Sequence, residues 1–322
     1  MLERGRAMTT LADVAKLANV SKMTVSRVIN HPEQVTDELK ELVFSAMAEL
    51  NYRPNIAAKA LVSNRSQVIK LFILEEIDTT EPYYMNLLMG IANRIGRAHY
   101  SLQLVTTSGF DVGACDGYII TGMREKDFDW IARLEKPVVL FGENDFGYDY
   151  VDSDNQYGTT KATEYALSQG YESVVYIGMD VAEPFERARE AGYLAVMKEQ
   201  NLPTKTVRFP NHSTKTEEYI DTHWDEFDKN TCFVCSSDRL ALGVVRGIMK
   251  AGGKLPEEYG VIGFDGVFLD QISSPKLTTV KQDIIRMGEA CGEMLLKKID
   301  EKGASQGYRR FFPEVILRET TK

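Results

Sequence analysis

From Gln67 onward, short apolar runs alternate with stretches whose apolar residues recur at helical intervals. QVIKLFIL, SLQLV, DGYIIT, PVVLFGE, SVVYIGM, TKTVRF, TCFVCSS, YGVIGFD and LTTVKQ read as strands. Residues 83–97, 155–169, 187–200, 238–252 and 285–301 read as helices lying between several of them. Alternating strands and helices imply parallel sheets with helices on their faces. Residues 67–322 exceed what one such sheet usually holds, so two doubly wound subdomains are expected. Sheets of this kind take ligands at the carboxyl ends of their strands, and two of them facing each other make a cleft.

The first part of the chain follows another pattern. In SKMTVSRVIN, residues 21–30, Val25, Val28 and Ile29 are spaced for a buried stripe, whereas Lys22, Met23, Ser26, Arg27 and Asn30 fall on the opposite face. Upstream, TLADVAKLA predicts a helix with Thr10 as N-cap, Asp13 as its capping-box partner, and Leu11, Val14, Ala15 and Ala18 as its apolar stripe. Asn19 suits a left-handed turn, and Ser21 suits the cap of the next helix. A third helix is expected after Pro32 and the cap candidate Thr36, with Leu39, Leu42, Val43, Ala46, Met47 and Leu50 facing inward. Three short amphipathic helices can bury one another's stripes, and the outward face of the second then meets something outside the protein.

The net charge of −9 disfavours nucleic acid only if it is spread evenly. Residues 1–66 hold nine Lys/Arg and seven Asp/Glu, which is +2, and the remainder holds 29 and 40, which is −11. The acidity belongs to the large part, so the small part is free to approach phosphates. No apolar run approaches the roughly 20 residues of a membrane span. MLERGRAMTT lacks an apolar leader core, Met8 is a candidate start, and a cytoplasmic protein is expected. Cys115, Cys232, Cys235 and Cys291 read as reduced thiols. Cys232 and Cys235 lie three apart in a strand and so face opposite sides, which prevents them from sharing a metal. The scattered histidines have no ligand spacing, and no phosphate loop or nucleophile elbow is present, so neither an enzyme nor a metal or other cofactor is expected.

TLADVAKLANVSKMTVSRVIN, followed by VTDELKELVFSAMAELNYRPNIAAKAL, resembles without a gap the DNA-binding head of the lactose-repressor (LacI/GalR) family. That resemblance implies a helix-turn-helix domain over residues 8–53, a hinge helix and linker over 54–66, and an effector-binding and dimerisation core over 67–322. It makes Lys22 and Met23 the main base readers. A lysine ammonium donates to guanine O6 and N7, and a methionine tip packs on a thymine methyl. By the same likeness Thr10, Leu11, Thr24, Ser26, Arg27 and Asn30 contact bases or backbone, and Ser21, Thr36 and Tyr52 contact phosphates, which position without specifying. In the hinge, YRPNIAAKALVSNRS, Leu61 matches a wedge between base steps, with Asn55 and Ala58 as neighbouring minor-groove contacts.

EPYYMNLLMGI, DSDNQYGT, GYESVVYIG, RAREAGY, SSDRLALG, GVIGFDG and LTTVKQD extend the resemblance over nearly the whole chain. They imply a periplasmic-binding-protein-like core, with one subdomain near residues 67–151 and 284–310 and the other near 152–283 and 311–322. Pro82, Tyr83, Glu143, Arg189, Ser237, Asp238 and Asp265 then match effector contacts, with Tyr83, Tyr84, Phe185 and Phe268 available for stacking. Plainer alternatives stand beside them: Arg189 as a solvated helix charge, Asp265 as a turn cap, and Glu143 as an effector contact or a residue outside the site. Asp154 and Asn155 read as a cap and crossover rather than a site. The 106–116 segment is shorter than in the family and is expected to lack a helix, which makes the cleft edge and dimer face less transferable.

The resulting expectation is a homodimeric repressor of a carbohydrate-related operon, bound to double-stranded operator DNA and controlled by a sugar or sugar-phosphate effector. The alternative is a global regulator of the same family whose core answers to a partner protein. No leucine-heptad tail follows Lys322, so a tetramer built that way is not expected.

Overall fold

A computed structural model describes residues 9–30, 32–52, 65–75, 82–105 and 113–322. The chain divides into two units, Met1–Arg65 and Ser66–Lys322.

In the smaller unit the first helix is Leu11–Leu17. Its N-cap is reciprocal: Thr10 N–H donates to Asp13 Oδ2 at 2.8 Å, and Asp13 N–H donates to Thr10 Oγ1 at 3.4 Å. Asn19 takes the left-handed conformation, φ 51°, and turns the chain into the second helix, Lys22–Asn30. Ser21 Oγ accepts the Thr24 N–H at 3.0 Å and caps it. The third helix is Asp37–Glu49. Thr36 occupies its N-cap position but makes no side-chain cap bond. Its side chain is exposed, while the neighbouring Asp37 carboxylate is taken by Lys40 at 2.7 Å.

Val14, Ala15, Ala18, Val25, Val28, Val43 and Ala46 form the core of this unit, with Leu11, Ile29, Leu39, Met47, Leu50 and Tyr52 packed around it. Leu42 departs from expectation and is 55% exposed. Each residue advances about 100° around the helix, and Val43 holds the inward direction that Leu42 was expected to share.

The larger unit contains twelve strands among the described residues. They are β1 (Val68–Ile73), β2 (Ser101–Val105), β3 (Gly117–Thr121), β4 (Val138–Phe141), β5 (Tyr150–Ser153), β6 (Ser173–Met179), β7 (Lys205–Phe209), β8 (Thr231–Cys235), β9 (Tyr259–Asp265), β10 (Thr278–Lys281), β11 (Tyr308–Phe311) and β12 (Glu314–Ile316). They form two six-stranded sheets, ordered β11-β5-β4-β3-β1-β2 and β12-β10-β9-β8-β6-β7. Every pairing is parallel except β10 with β12. In each sheet the order reverses beside its first strand, which is the switch point where doubly wound sheets open a crevice.

Helices Tyr83–Gly96 and Ile284–Asp300 pack on the first sheet through Leu87, Ile91, Ile95, Met287, Cys291 and Leu295. They approach so closely that a Cβ on Gly90 would lie 2.1 Å from the Ile285 carbonyl oxygen, and one on Gly288 would lie 2.6 Å from that of Leu87. The second sheet is covered on one face by Asn155–Ser168 and Pro184–Glu199, and on the other by Ser213–Thr222 and Asp238–Lys250. Cys232 and Cys235 belong to the clusters on opposite faces of β8, as the strand spacing requires. The chain crosses between the lobes after Ser153, after Lys281 and after Phe311. Of the 106–116 segment, residues 106–112 lie outside the described residues, and Asp116 accepts the Ser66 and Gln67 N–H groups at 2.9 and 2.8 Å.

Candidate functional site

The second helix of the small unit has two unlike faces. Val25 and Val28 are fully buried, whereas Met23 is 74% exposed and Lys22 and Arg27 are exposed beside it. A large apolar tip held in water next to two cations is a surface waiting for an apolar and anionic partner. Thr24 and Ser26 are half-buried at its edge, and Ser21 and Thr36 are exposed at the N-termini of the second and third helices. Helix N-termini suit phosphate oxygens. Thr10 is exposed at the start of the first helix, but Leu11 and Tyr52 pack against the core of the head. Asn30 ends the second helix. Asn55, Ala58 and Leu61 lie outside the described residues.

In the core, the loops at the carboxyl ends of the two sheets meet across the cleft. Arg124, after β3, reaches Glu183 at 2.8 Å, and Asp145, after β4, reaches Arg187 at 2.7 Å. The cleft floor is built around Arg189, on helix Pro184–Glu199, which is only 4% exposed. Arg189 Nε donates to Asn155 Oδ1 at 2.9 Å, and Nη1 donates to the Ser236 carbonyl at 2.5 Å. Nη2 lies 3.8 Å from Asp265 Oδ1. The guanidinium is 3.7 Å from the centre of the Phe264 ring and 5.0 Å from that of Phe185. Arg189 is therefore a buried clamp rather than a solvated helix charge.

Asp265 carries φ +119°, a strained backbone for a residue with a side chain, and Gln282 Nε2 donates to its Oδ1 at 2.9 Å. Asp238 stands behind it, accepting the Thr279 hydroxyl at 2.5 Å and the Gly266 N–H at 2.9 Å. Burial and then Asp265 raise its carboxyl well above the carboxylate range. Asp238 thus braces the turn that carries Asp265. Ser237 caps helix Asp238–Lys250 by accepting the Leu240 N–H at 3.1 Å, and its hydroxyl donates to Asn211 at 2.7 Å.

From the first lobe, Pro82 caps helix Tyr83–Gly96 in position only, and Tyr83 packs at 5.4 Å from Tyr84 and 6.3 Å from Phe141. The Tyr83 phenol is pushed up by burial, then by Asp265, Asp152 and Glu75, while Arg189 pulls it down. One hydroxyl therefore feels charges from both lobes. Asp152 accepts the Glu143 N–H at 2.8 Å, and burial pushes its carboxyl up to about 6. The Glu143 carboxylate is held by Arg310 at 2.5 Å.

Sequence reasoning passed over Asp152, Glu75 and Phe264, and it read Asn155, with Asp154, as a cap and crossover rather than a site. Asp154 is indeed a cap, accepting the Tyr157 N–H at 2.9 Å, but the adjacent Asn155 carries the Arg189 contact. Among the described residues no group of His, Cys, Asp and Glu could hold a metal ion, and no helix is long and apolar enough to cross a membrane. Burial pushes the Cys232 and Cys235 thiols up.

A helix-turn-helix head on a two-lobed periplasmic-binding-like core defines a class of bacterial transcription regulators. Residues 10–55 match the model of bacterial regulatory proteins of the lacI family, and residues 163–321 match a periplasmic binding protein-like domain. The chain is 56% identical over 315 residues to the uncharacterized HTH-type transcriptional regulator YvdE of Bacillus subtilis, across 98% of this chain and 100% of the relative. It is 30% identical to the ribose operon repressor of Halalkalibacterium halodurans, across 98% of each. Among solved structures, the transcriptional regulator CelR–cellobiose complex superimposes with TM-score 0.70 at 24% identity, over 97% of this chain and 99% of that one. The lac repressor dimer bound to operator and the anti-inducer ONPF does so with TM-score 0.70 at 22% identity, over 98% and 99%. The chain belongs to the LacI/GalR family. It is a DNA-binding transcriptional regulator, and its relatives are regulators rather than enzymes.

Proposed function

We propose that the chain is a cytoplasmic, homodimeric repressor of a carbohydrate-related operon, switched by a sugar-like effector held between the lobes of its core. Lys22 and Met23 read base edges, Arg27, Thr24, Ser26, Asn30, Thr10 and Leu11 support them, and Ser21, Thr36 and Tyr52 hold phosphates. Leu61, with Asn55 and Ala58, opens the minor groove between two half-sites. The names of two similar proteins, a ribose operon repressor and a regulator solved with cellobiose, support the choice of effector class.

The observation that carries the effector reading is the Arg189 clamp. A guanidinium flanked by the Phe264 and Phe185 rings, with the Asp265 carboxylate 3.8 Å away, sets a donor beside an acceptor. A sugar hydroxyl is both acceptor and donor, so a vicinal diol bridges the two. Pro82, Tyr83, Glu143, Ser237 and Asp238 complete or support the site. Effector binding couples to the hinge by a free energy of about 1–3 kcal/mol, which is enough to switch a marginal hinge helix. The test is operator affinity with and without a panel of sugars at fixed salt. A several-fold or larger change with one of them is expected, and no change with any would overturn the reading.

A further inference from the structure

We infer that the core cleft selects an uncharged, hydroxyl-rich effector and rejects its phosphorylated or otherwise anionic counterpart. This rests on the proposal that the effector is sugar-like, and it narrows that class by charge.

The floor is rich in acceptors. Glu75 follows β1, Asp152 lies in β5, Asp265 ends β9 and Glu186 lies on helix Pro184–Glu199. Three of the four, Glu75, Asp152 and Asp265, act on the single Tyr83 phenol. Glu186 lies one turn from Arg189 and takes the Tyr176 hydroxyl at 2.9 Å. Arg189 is hydrogen-bonded into this floor, and its charge already faces Asp265. Three other arginines at the margins are each matched to a carboxylate: Arg124 to Glu183, Arg187 to Asp145, and Arg310 to Glu143.

Two neutral donors in the floor are committed to its acceptors. Thr121 Oγ1 donates to Glu75 Oε1 at 3.2 Å, and Gln282 Nε2 donates to Asp265 Oδ1 at 2.9 Å. An ionised carboxylate has about four acceptor positions, so Glu75 and Asp265 retain room for a ligand O–H. Hydroxyl groups can donate into both and still accept from the Arg189 guanidinium. A phosphate offers only acceptors and would meet acceptors and like charge in a low-dielectric setting. A phosphate site of the usual kind presents the reverse: arginines, lysines and free backbone N–H groups.

The test titrates the full-length protein, by thermal shift and then calorimetry, with matched sugars: glucose, ribose, cellobiose and a wider panel of neutral mono- and disaccharides, each beside its phosphate ester. Glucosamine is included as the cationic counterpart. We expect a neutral member to bind and its ester to bind at least about 100-fold more weakly. The variant Glu75→Gln should recover at least about fivefold of the ester's lost affinity, and Asp152→Asn serves if the first variant fails to fold. An ester that binds as tightly as its parent overturns the inference while leaving a sugar-like effector in place. Tighter binding of glucosamine than of glucose overturns it in favour of a cationic ligand. Failure of both arms across the whole panel overturns the sugar reading itself, and this inference with it.

Discussion

Arg124 Nε lies 2.8 Å from Glu183 Oε1 and joins the loop after β3 to the start of helix Pro184–Glu199, across the cleft. Arg187 and Asp145 repeat the link at 2.7 Å. Arg124 and Glu183 are partly exposed, so each such pair is worth about 0.2–1 kcal/mol. A double-mutant cycle with Arg124→Ala and Glu183→Ala in urea unfolding should give a coupling in that range, smaller at 1 M salt. Zero coupling at low salt would show that the pair does not hold the lobes together.

Arg189 sits among carboxylates it stabilises, so Arg189→Ala should cost about 3–5 kcal/mol of core stability at pH 8. The loss should shrink toward pH 5.5. Without the guanidinium, Asp152 and Glu186 protonate at higher pH, and protonation relieves the unpaired charge. Equal losses at both pH values, read by denaturant unfolding, would contradict this electrostatic role.

Asp152 has a carboxyl pushed up to about 6 from an ordinary value of 3.8, chiefly by burial. A folded value above the unfolded one means that its contribution is fully present below about pH 4 and is lost as pH rises through 6. Asp152→Asn should therefore stabilise the core at pH 7.5 by on the order of 1–3 kcal/mol and flatten the stability profile between pH 4 and 7. A variant less stable than wild type at pH 7.5, with an unchanged profile, would mean the carboxylate is needed in its charged form.

Gly90 and Gly288 let two helices touch backbone to backbone, with no room for a Cβ at either position. Gly288→Ala must push the Ile284–Asp300 helix away from the Leu87 carbonyl and should destabilise the core by about 2–3 kcal/mol. Melting of the larger unit should drop while DNA-head helicity is retained. An unchanged melting temperature would mean that the helices can separate without cost.

The elements that sequence pattern revealed were those with a strong period. All nine apolar runs became strands and the five helical stretches became helices; for the central strands, burial on both sheet faces leaves a continuous apolar record. Three strands escaped notice. β5 (YVDS), β11 (YRRF) and β12 (EVI) are short, polar or at an edge, and their pairing is decided by distant partners such as β5 with β11. The same limit set Asn155 down as part of a cap and hid Asp152, since the contacts of both with Arg189 span thirty or more residues. Arg189 and Asp265 were legible only through the family resemblance. Their spacing of 76 positions has no local signature.

The central claim is that an exposed helix face carrying Lys22 and Met23 chooses the DNA sequence. The direct measurement is selection of binding sites from a random duplex pool, at fixed salt, by wild type and by Lys22→Ala/Met23→Ala. The wild type should enrich a pseudopalindrome. The double variant should lose about 1–3 kcal/mol of discrimination at one or two base pairs in each half-site, while keeping most of its non-specific affinity. Enrichment of the same sequence by both proteins, or of none by the wild type, would contradict the account.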